Sequence, residues 1–253
     1  MAMKATATVF LFLSLFGLNT GLYRKHYYVD ERKQWSSAQQ YCQTHHDDLS
    51  TVSNEFQELQ RLSDNSQVTG DYWIGLHSDA YSRLWKWTGG EDATDVKWDR
   101  GEPDTYWHEQ CGKVEKSSSK VHDAYCSGSL PFYCMEVFEL IVVKQENTWE
   151  EALEYCRQNY IDLASLSSDV IMKEAEDKST ALTDDVWIGL RFIAGHWFWL
   201  NGEGLDYKVW SAGGELQCPA MDQRCGVYDV KKKVWKPADC EQRLNFLCVK
   251  TVG

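Results

Sequence analysis

Apolar and polar positions follow three rhythms along this chain. Residues 9–18 (VFLFLSLFGL) form an unbroken apolar run of ten behind Lys4. A run of that size suits the core of an export signal and falls short of the roughly 20 residues that span a bilayer, so 1–21 reads as a signal peptide. Residues 23–29 (YRKHYYV) and 137–143 (VFELIVV) read as opening strands, each followed by a helix. Ala38, Tyr41 and Cys42 share one helical face, and so do Ala152, Tyr155 and Cys156. Thr148 and Glu151 have the spacing of a capping box. Second helices are predicted over 54–62 and 168–177. Short aromatic strands follow: YWIGL, RLWKW and PFYCME first, then VWIGL, HWFWL and LNFLCVK. Helices followed by runs of strands predict an α+β fold.

The rhythm occurs twice. Cys42, Cys111, Cys126 and Cys134 are separated by 69, 15 and 8 residues, and Cys156, Cys225, Cys240 and Cys248 by the same intervals, shifted by 114. Three spacings do not recur by chance, so the chain is a tandem duplication. Trp35 and Trp149 precede the first cysteine of each set by seven residues, and Trp73-Ile74-Gly75-Leu76 returns as Trp187-Ile188-Gly189-Leu190. The shift narrows to 112 where Trp87 and Trp98 answer to Trp199 and Trp210. Such length changes belong in surface loops. Two domains are expected, 22–135 and 136–253.

Composition then removes whole classes of function. A length of 253 residues suits two compact domains, and 13% aromatic content with 12 Trp gives both a core. A net charge of -12 argues against nucleic acid, which needs clustered Lys and Arg; the triplet Lys231 to Lys233 reads as a solvated turn. No second apolar run has membrane length and no apolar tail closes the chain, so a secreted, extracellular protein without a membrane span is expected. His45-His46-Asp47-Asp48 imitates a metal cluster, but adjacent residues in a polar turn rarely converge on one ion. Nothing resembles a nucleophile elbow, a zinc-protease helix or a phosphate loop, so no catalytic residue is assigned.

Each half resembles a C-type lectin-like domain in its opening strand, two helices, WIGL strand, long loop and four cysteines. Four cysteines alone allow three pairings per domain. The resemblance implies Cys42 with Cys134, Cys111 with Cys126, Cys156 with Cys248 and Cys225 with Cys240. It also implies two helices with short antiparallel sheets per domain and a calcium site in the long loop. That site is an acid or amide on each side of a cis Pro, a Glu two residues before the second cysteine, and Trp-Asn-Asp before the third.

The first copy retains most of that pattern. Glu102-Pro103-Asp104 matches the loop triplet, Glu109 stands two residues before Cys111, and Asp123 three before Cys126. By resemblance Glu102, Asp104, Glu109 and Asp123 are the metal ligands, as the hard Ca2+ ion takes six to eight oxygens. Trp107 and Tyr106 could stack on the apolar face of a sugar ring. Three departures bear on ligand binding. Glu-Pro-Asp supplies two acids where sugar-binding relatives pair an acid with an amide, and an ionised Asp104 cannot donate a hydrogen bond. His122 stands in place of Asn, and Val121 in place of Trp.

The second copy lacks the pattern. Its loop reads Glu215-Leu216-Gln217-Cys218-Pro219, Gln223 replaces the Glu, and Lys236-Pro237 replaces Asn-Asp. An ammonium at the cation's position repels it, so calcium is expected in the first domain only. Cys218 is left over from the eight repeated cysteines, which suggests a free thiol or a disulfide-linked dimer. Two functions from different classes stand: a calcium-dependent glycan or glycoprotein binder, with Glu102, Asp104, Trp107, Glu109, His122 and Asp123 as its site, or a calcium-independent module for a protein ligand.

Overall fold

The computed structural model describes residues 22–52, 56–79, 82–104, 109–182 and 184–252, without the side chains of 56–58. The predicted signal segment lies outside them. The first half contains β1 (Leu22–Lys33), α1 (Trp35–His45), β2 (Asp48–Leu49), α2 (Phe56–Asp64), β3 (Tyr72–Ser78), β4 (Trp85–Trp87), β5 (Glu109–Glu115) and β6 (Lys120–Tyr125). A long strand, β7 (Leu130–Asn147), leads into α3 (Trp149–Asn159), β8 (Asp162–Leu163), α4 (Asp169–Ser179), β9 (Val186–Ile193), β10 (His196–Trp199), β11 (Cys225–Asp229), β12 (Val234–Ala238) and β13 (Leu244–Thr251). The α+β expectation holds, with two copies of one motif.

The main path of the sheet runs β12-β11-β9-β13-β7-β3-β5-β6. Strand β7 is its spine. PFYCME and VFELIVV, read from the sequence as the closing strand of one domain and the opening strand of the next, are one strand of 18 residues. Its first part pairs with β1 from Leu130↔Lys33 to Glu139↔Leu22, and its second part with β13 from Phe138↔Thr251 to Asn147↔Leu244. The two domains therefore share backbone hydrogen bonds at residues 138 and 139. Tyr23, at the start of the first domain, is buried among Phe138, Leu140 and Ile171 of the second. Arg61 on α2 makes a bidentate contact with Asp169 on α4, at 3.0 and 3.1 Å.

The repeated landmarks have one explanation in both copies. Trp35 buries its ring and donates its indole N–H to the Ile74 carbonyl at 2.8 Å; Trp149 does the same to Ile188 at 2.9 Å. Trp73 and Trp187 donate to the carbonyls of Lys33 and Asn147, each at 2.9 Å. A buried indole N–H usually takes such a partner, so these four rings fix strands as well as fill space, whereas those of Trp199 and Trp210 bury their nitrogens without one. The glycine of WIGL sits against a crossing backbone: a Cβ at Gly75 would lie 2.7 Å from the Leu49 carbonyl oxygen, and one at Gly189 2.9 Å from that of Leu163. Its leucine packs on a second glycine, since a Cβ at Gly112 or Gly226 would fall 2.7 or 2.6 Å from the Cβ of Leu76 or Leu190.

The helices start as the polar pattern indicates. Thr148 and Glu151 form the reciprocal capping box of α3, whereas Gln34 before α1 makes no side-chain cap. Ala38 with Cys42, and Ala152 with Cys156, are fully buried. The second helices lie somewhat further along than the 54–62 and 168–177 predicted, and Ser168 is the N-cap of α4. The disulfides are Cys42–Cys134, Cys111–Cys126, Cys156–Cys248 and Cys225–Cys240. Lys231 to Lys233 form the turn between β11 and β12.

Candidate functional site

The long loop of the first domain returns to the sheet at residues 98–104. A parallel bridge joins Trp98 to Val121, and the Asp99 N–H donates to the Val121 carbonyl at 3.0 Å, so the loop is anchored on β6. Val121 itself is buried in the core, which is why an aliphatic residue serves there. Strands β5 and β6 pair with Gly112 opposite Asp123 and Lys113 opposite His122, and their alternation places His122 and Asp123 on opposite faces.

Glu102, Asp104 and Asp123 each turn a carboxylate oxygen into one small volume, the three atoms lying within 4.8 Å of one another. The Glu102–Pro103 peptide is cis. Asp123 is buried, and its Oδ1 accepts the Asp104 backbone N–H at 3.3 Å. Crowding of acids shows in their titration. A hydrogen bond with Asp123, desolvation and the Asp123 charge push the Glu102 carboxyl up from its ordinary range. Glu109 is also raised, first by desolvation, then by the charges of Asp123 and Asp104. It stands beside Asp104, outside the three-residue group.

His122 belongs to the edge of this group and to a second one. Its Nδ1 is 3.3 Å from Glu102 Oε1, while its Nε2 is 3.3 Å from Asp99 Oδ2 and 3.4 Å from Glu115 Oε2. Neither Asp99 nor Glu115 was singled out from the sequence. The alternation along 113–122 puts Glu115, Lys113, Lys120 and His122 on one face once the hairpin register is known, but Asp99 comes from a loop whose path carries no periodic signal. Trp107 and Tyr106, expected to face a sugar, lie outside the described residues.

The second domain is built differently at the same place. Lys236, at the position of His122, contacts Asp185 Oδ2 at 2.6 Å and Asp229 Oδ2 at 3.2 Å, and Pro237 takes the place of Asp123. Glu215 is paired with Lys208 at 2.8 Å. Cys218 is an exposed free thiol. The four polar residues from the end of α1 to the start of β2 diverge: His45 Nδ1 is 2.9 Å from the Tyr41 carbonyl, His46 Nδ1 is 2.9 Å from Glu136, Asp47 accepts the Val137 N–H and Asp48 that of Leu49. Among the described residues, only the two groups in the first domain gather three potential metal ligands. No helix there is long and apolar enough to cross a membrane.

Comparison with known proteins agrees with this architecture. The family model for the lectin C-type domain matches twice, at residues 31–136 and 145–250. Human lymphocyte antigen 75 is 23% identical over 247 residues, covering 85% of this chain and 14% of that protein. The human secretory phospholipase A2 receptor is 24% identical over 256 residues, covering 85% of this chain and 17% of the receptor. The chain thus spans only about a sixth of these relatives. Among solved structures, human lithostathine is 25% identical, covers 44% of this chain and 90% of its own, and superposes with a TM-score of 0.41. With a fold, four disulfides and two family matches in agreement, the chain belongs to the C-type lectin domain family and carries two such domains in tandem.

Proposed function

We propose that this is a secreted, non-catalytic lectin whose first domain binds a glycan or glycoprotein in a calcium-dependent manner and whose second domain works without the metal. Lectin modules of this family bind carbohydrate or protein. The observation that favours calcium in the first domain is the convergence of Glu102, Asp104 and Asp123, with Glu109 beside Asp104. The donors are hard carboxylate oxygens, which suit Ca2+, and the raised Glu102 and Glu109 carboxyls mark a volume with excess negative charge that a cation relieves. Glu102, Asp104, Glu109 and Asp123 would hold the ion, and the ion would supply coordination to sugar hydroxyls. Lys236 and Pro237 argue against a metal at the second domain's equivalent position, and Cys218 could link two chains covalently.

Calcium titration by calorimetry, together with a glycan array on protein stripped of metal and then resupplied with calcium, tests this reading. Wild type should bind one Ca2+ at millimolar concentration and gain array signal; Glu102→Gln should lose both. Absence of array signal with and without calcium, in both proteins, favours the protein-interaction module instead, and equal signal in both conditions overturns the calcium dependence.

A further inference from the structure

The second domain holds a cation against one of its disulfides. Arg191 leaves β9 opposite Cys225 of β11 and lays its guanidinium over the Trp149 ring at 4.6 Å. Its Nη1 contacts Cys225 Sγ and lies 2.9 Å from Cys240 Sγ, so one nitrogen faces both sulfurs of the bridge. The Arg191 side chain is only 19% exposed, while the carboxylate beside it, Glu150 at 3.5 Å, is 74% exposed and screened by water. A neutral sulfur is a weak acceptor and returns little to a guanidinium. A thiolate is an anion that a neighbouring Arg stabilises, lowering the thiol's pKa. Arg191 therefore suits the reduced pair better than the oxidised one.

The first domain repeats the arrangement without the charge. Cys111–Cys126 and Cys225–Cys240 both span 15 residues, and each joins a buried cysteine, Cys111 or Cys225, to a partly exposed one, Cys126 or Cys240. His77 takes the place of Arg191: it stands opposite Cys111 in the β3–β5 register, with its ring 5.4 Å from that of Trp35. Burial lowers the His77 pKa, so this ring is neutral at pH 7. We infer that Cys225–Cys240 is a reducible disulfide, a modification site for a dithiol donor, in which Arg191 stabilises the departing thiolate, while Cys111–Cys126 is structural. The donor's thiolate attacks the accessible Cys240 Sγ, a mixed disulfide forms there, the Cys225–Cys240 bond breaks, and Cys225 leaves as a thiolate against Arg191. The donor's second thiol then displaces Cys240 and closes the donor's own disulfide. Two electrons pass from the dithiol to the cysteine pair; one of its protons ends on Cys240 and the other in water. Cleavage frees Cys240, whose carbonyl accepts the Trp149 N–H at 3.0 Å, behind the edge strand β12.

Dithiothreitol at pH 7 without denaturant, acting on the full chain in a Cys218→Ser background that prevents internal thiol exchange, tests this assignment. Quenching with iodoacetamide at intervals and mapping peptides by mass gives a reduction rate for each bridge. Cys225–Cys240 should open at least about tenfold faster than Cys111–Cys126. Cys156 and Cys248 are fully buried, so the rate of their bridge reports opening of the whole second domain. Arg191→Met, which keeps an apolar stem over Trp149 without the charge, should slow Cys225–Cys240 at least about threefold relative to Cys156–Cys248; Arg191→Lys, still cationic, should slow it less. His77→Arg supplies the missing charge to the first domain and should speed Cys111–Cys126 at least about threefold. Equal rates for the two 15-residue bridges overturn the assignment, as does reduction of Cys225–Cys240 in step with Cys156–Cys248. Rates unchanged by both Arg191→Met and His77→Arg overturn it as well.

Discussion

Replacing Glu174 by Gln should remove one slope from the protein's pH–stability profile. Glu174 lies on α4 against the shared strand, 5% exposed, with Oε1 accepting the Leu140 N–H at 3.0 Å and Oε2 buried without a hydrogen-bond partner. Desolvation pushes its carboxyl up to about 7, against the lowering effects of the Leu140 N–H and Lys178; Glu139, Asp177 and the nearby Tyr23 complete its surroundings. Lys178 is itself engaged by Glu139 at 2.7 Å, which limits its help. The ordinary value is 4.5, so between 4.5 and 7 the folded protein holds a proton that the unfolded chain has released. Stability therefore falls as pH rises through that window, and the penalty is complete above 7. A shift of this size amounts to about 3 kcal/mol, of which roughly 2 to 3 separates pH 5 from pH 8.

Glutamine cannot ionise, so the variant should lack this slope. At about 2–4 °C per kcal/mol for a chain of this length, the difference between wild type and Glu174→Gln should change by roughly 5–10 °C between pH 5 and pH 8, in the variant's favour at pH 8. Scanning calorimetry at matched ionic strength, with Cys218 blocked to prevent disulfide exchange, measures it. A constant offset reflects the amide's own hydrogen bonding and leaves the argument intact. Parallel profiles, with no pH-dependent difference, would refute the claim that this carboxyl is held protonated at the seam between the domains.

Two further substitutions probe the duplicated scaffold. Gly75→Ala and Gly189→Ala each force a Cβ to within 3 Å of a carbonyl oxygen on a crossing strand, so each should cost about 1–3 kcal/mol in urea denaturation with disulfides intact. Thr148→Ala removes one arm of the capping box and should cost about 1 kcal/mol, while Gln34→Ala, at a helix start with no side-chain cap, should change stability little.

The division between what the sequence discloses and what it withholds follows the range of the interactions. Cysteine intervals, WIGL and the capping box are local or exactly repeated, and each corresponds to one physical demand: a buried Trp that needs a carbonyl, a glycine under a crossing strand, an orphan helix N–H. The fused strand was hidden because PFYCME and VFELIVV differ in pattern. The first is buried in the first domain, and the second alternates between the second domain's core and partly exposed positions, so the apolar rhythm changes although the backbone does not. The acidic loop could be recognised by resemblance because its ligands keep fixed offsets from cysteines. Asp99 and Glu115 have no such offset to betray them. They meet His122 only because the Trp98 bridge to β6 and the β5–β6 register bring one loop residue and one strand residue to one ring nitrogen. Divergence between the copies then carries its own information: opposite β5 the first domain sets an imidazole among three carboxylates, Asp99, Glu102 and Glu115, where the second sets the Lys236 ammonium between two, Asp185 and Asp229, so one register position of a shared scaffold has been given two different acid partnerships.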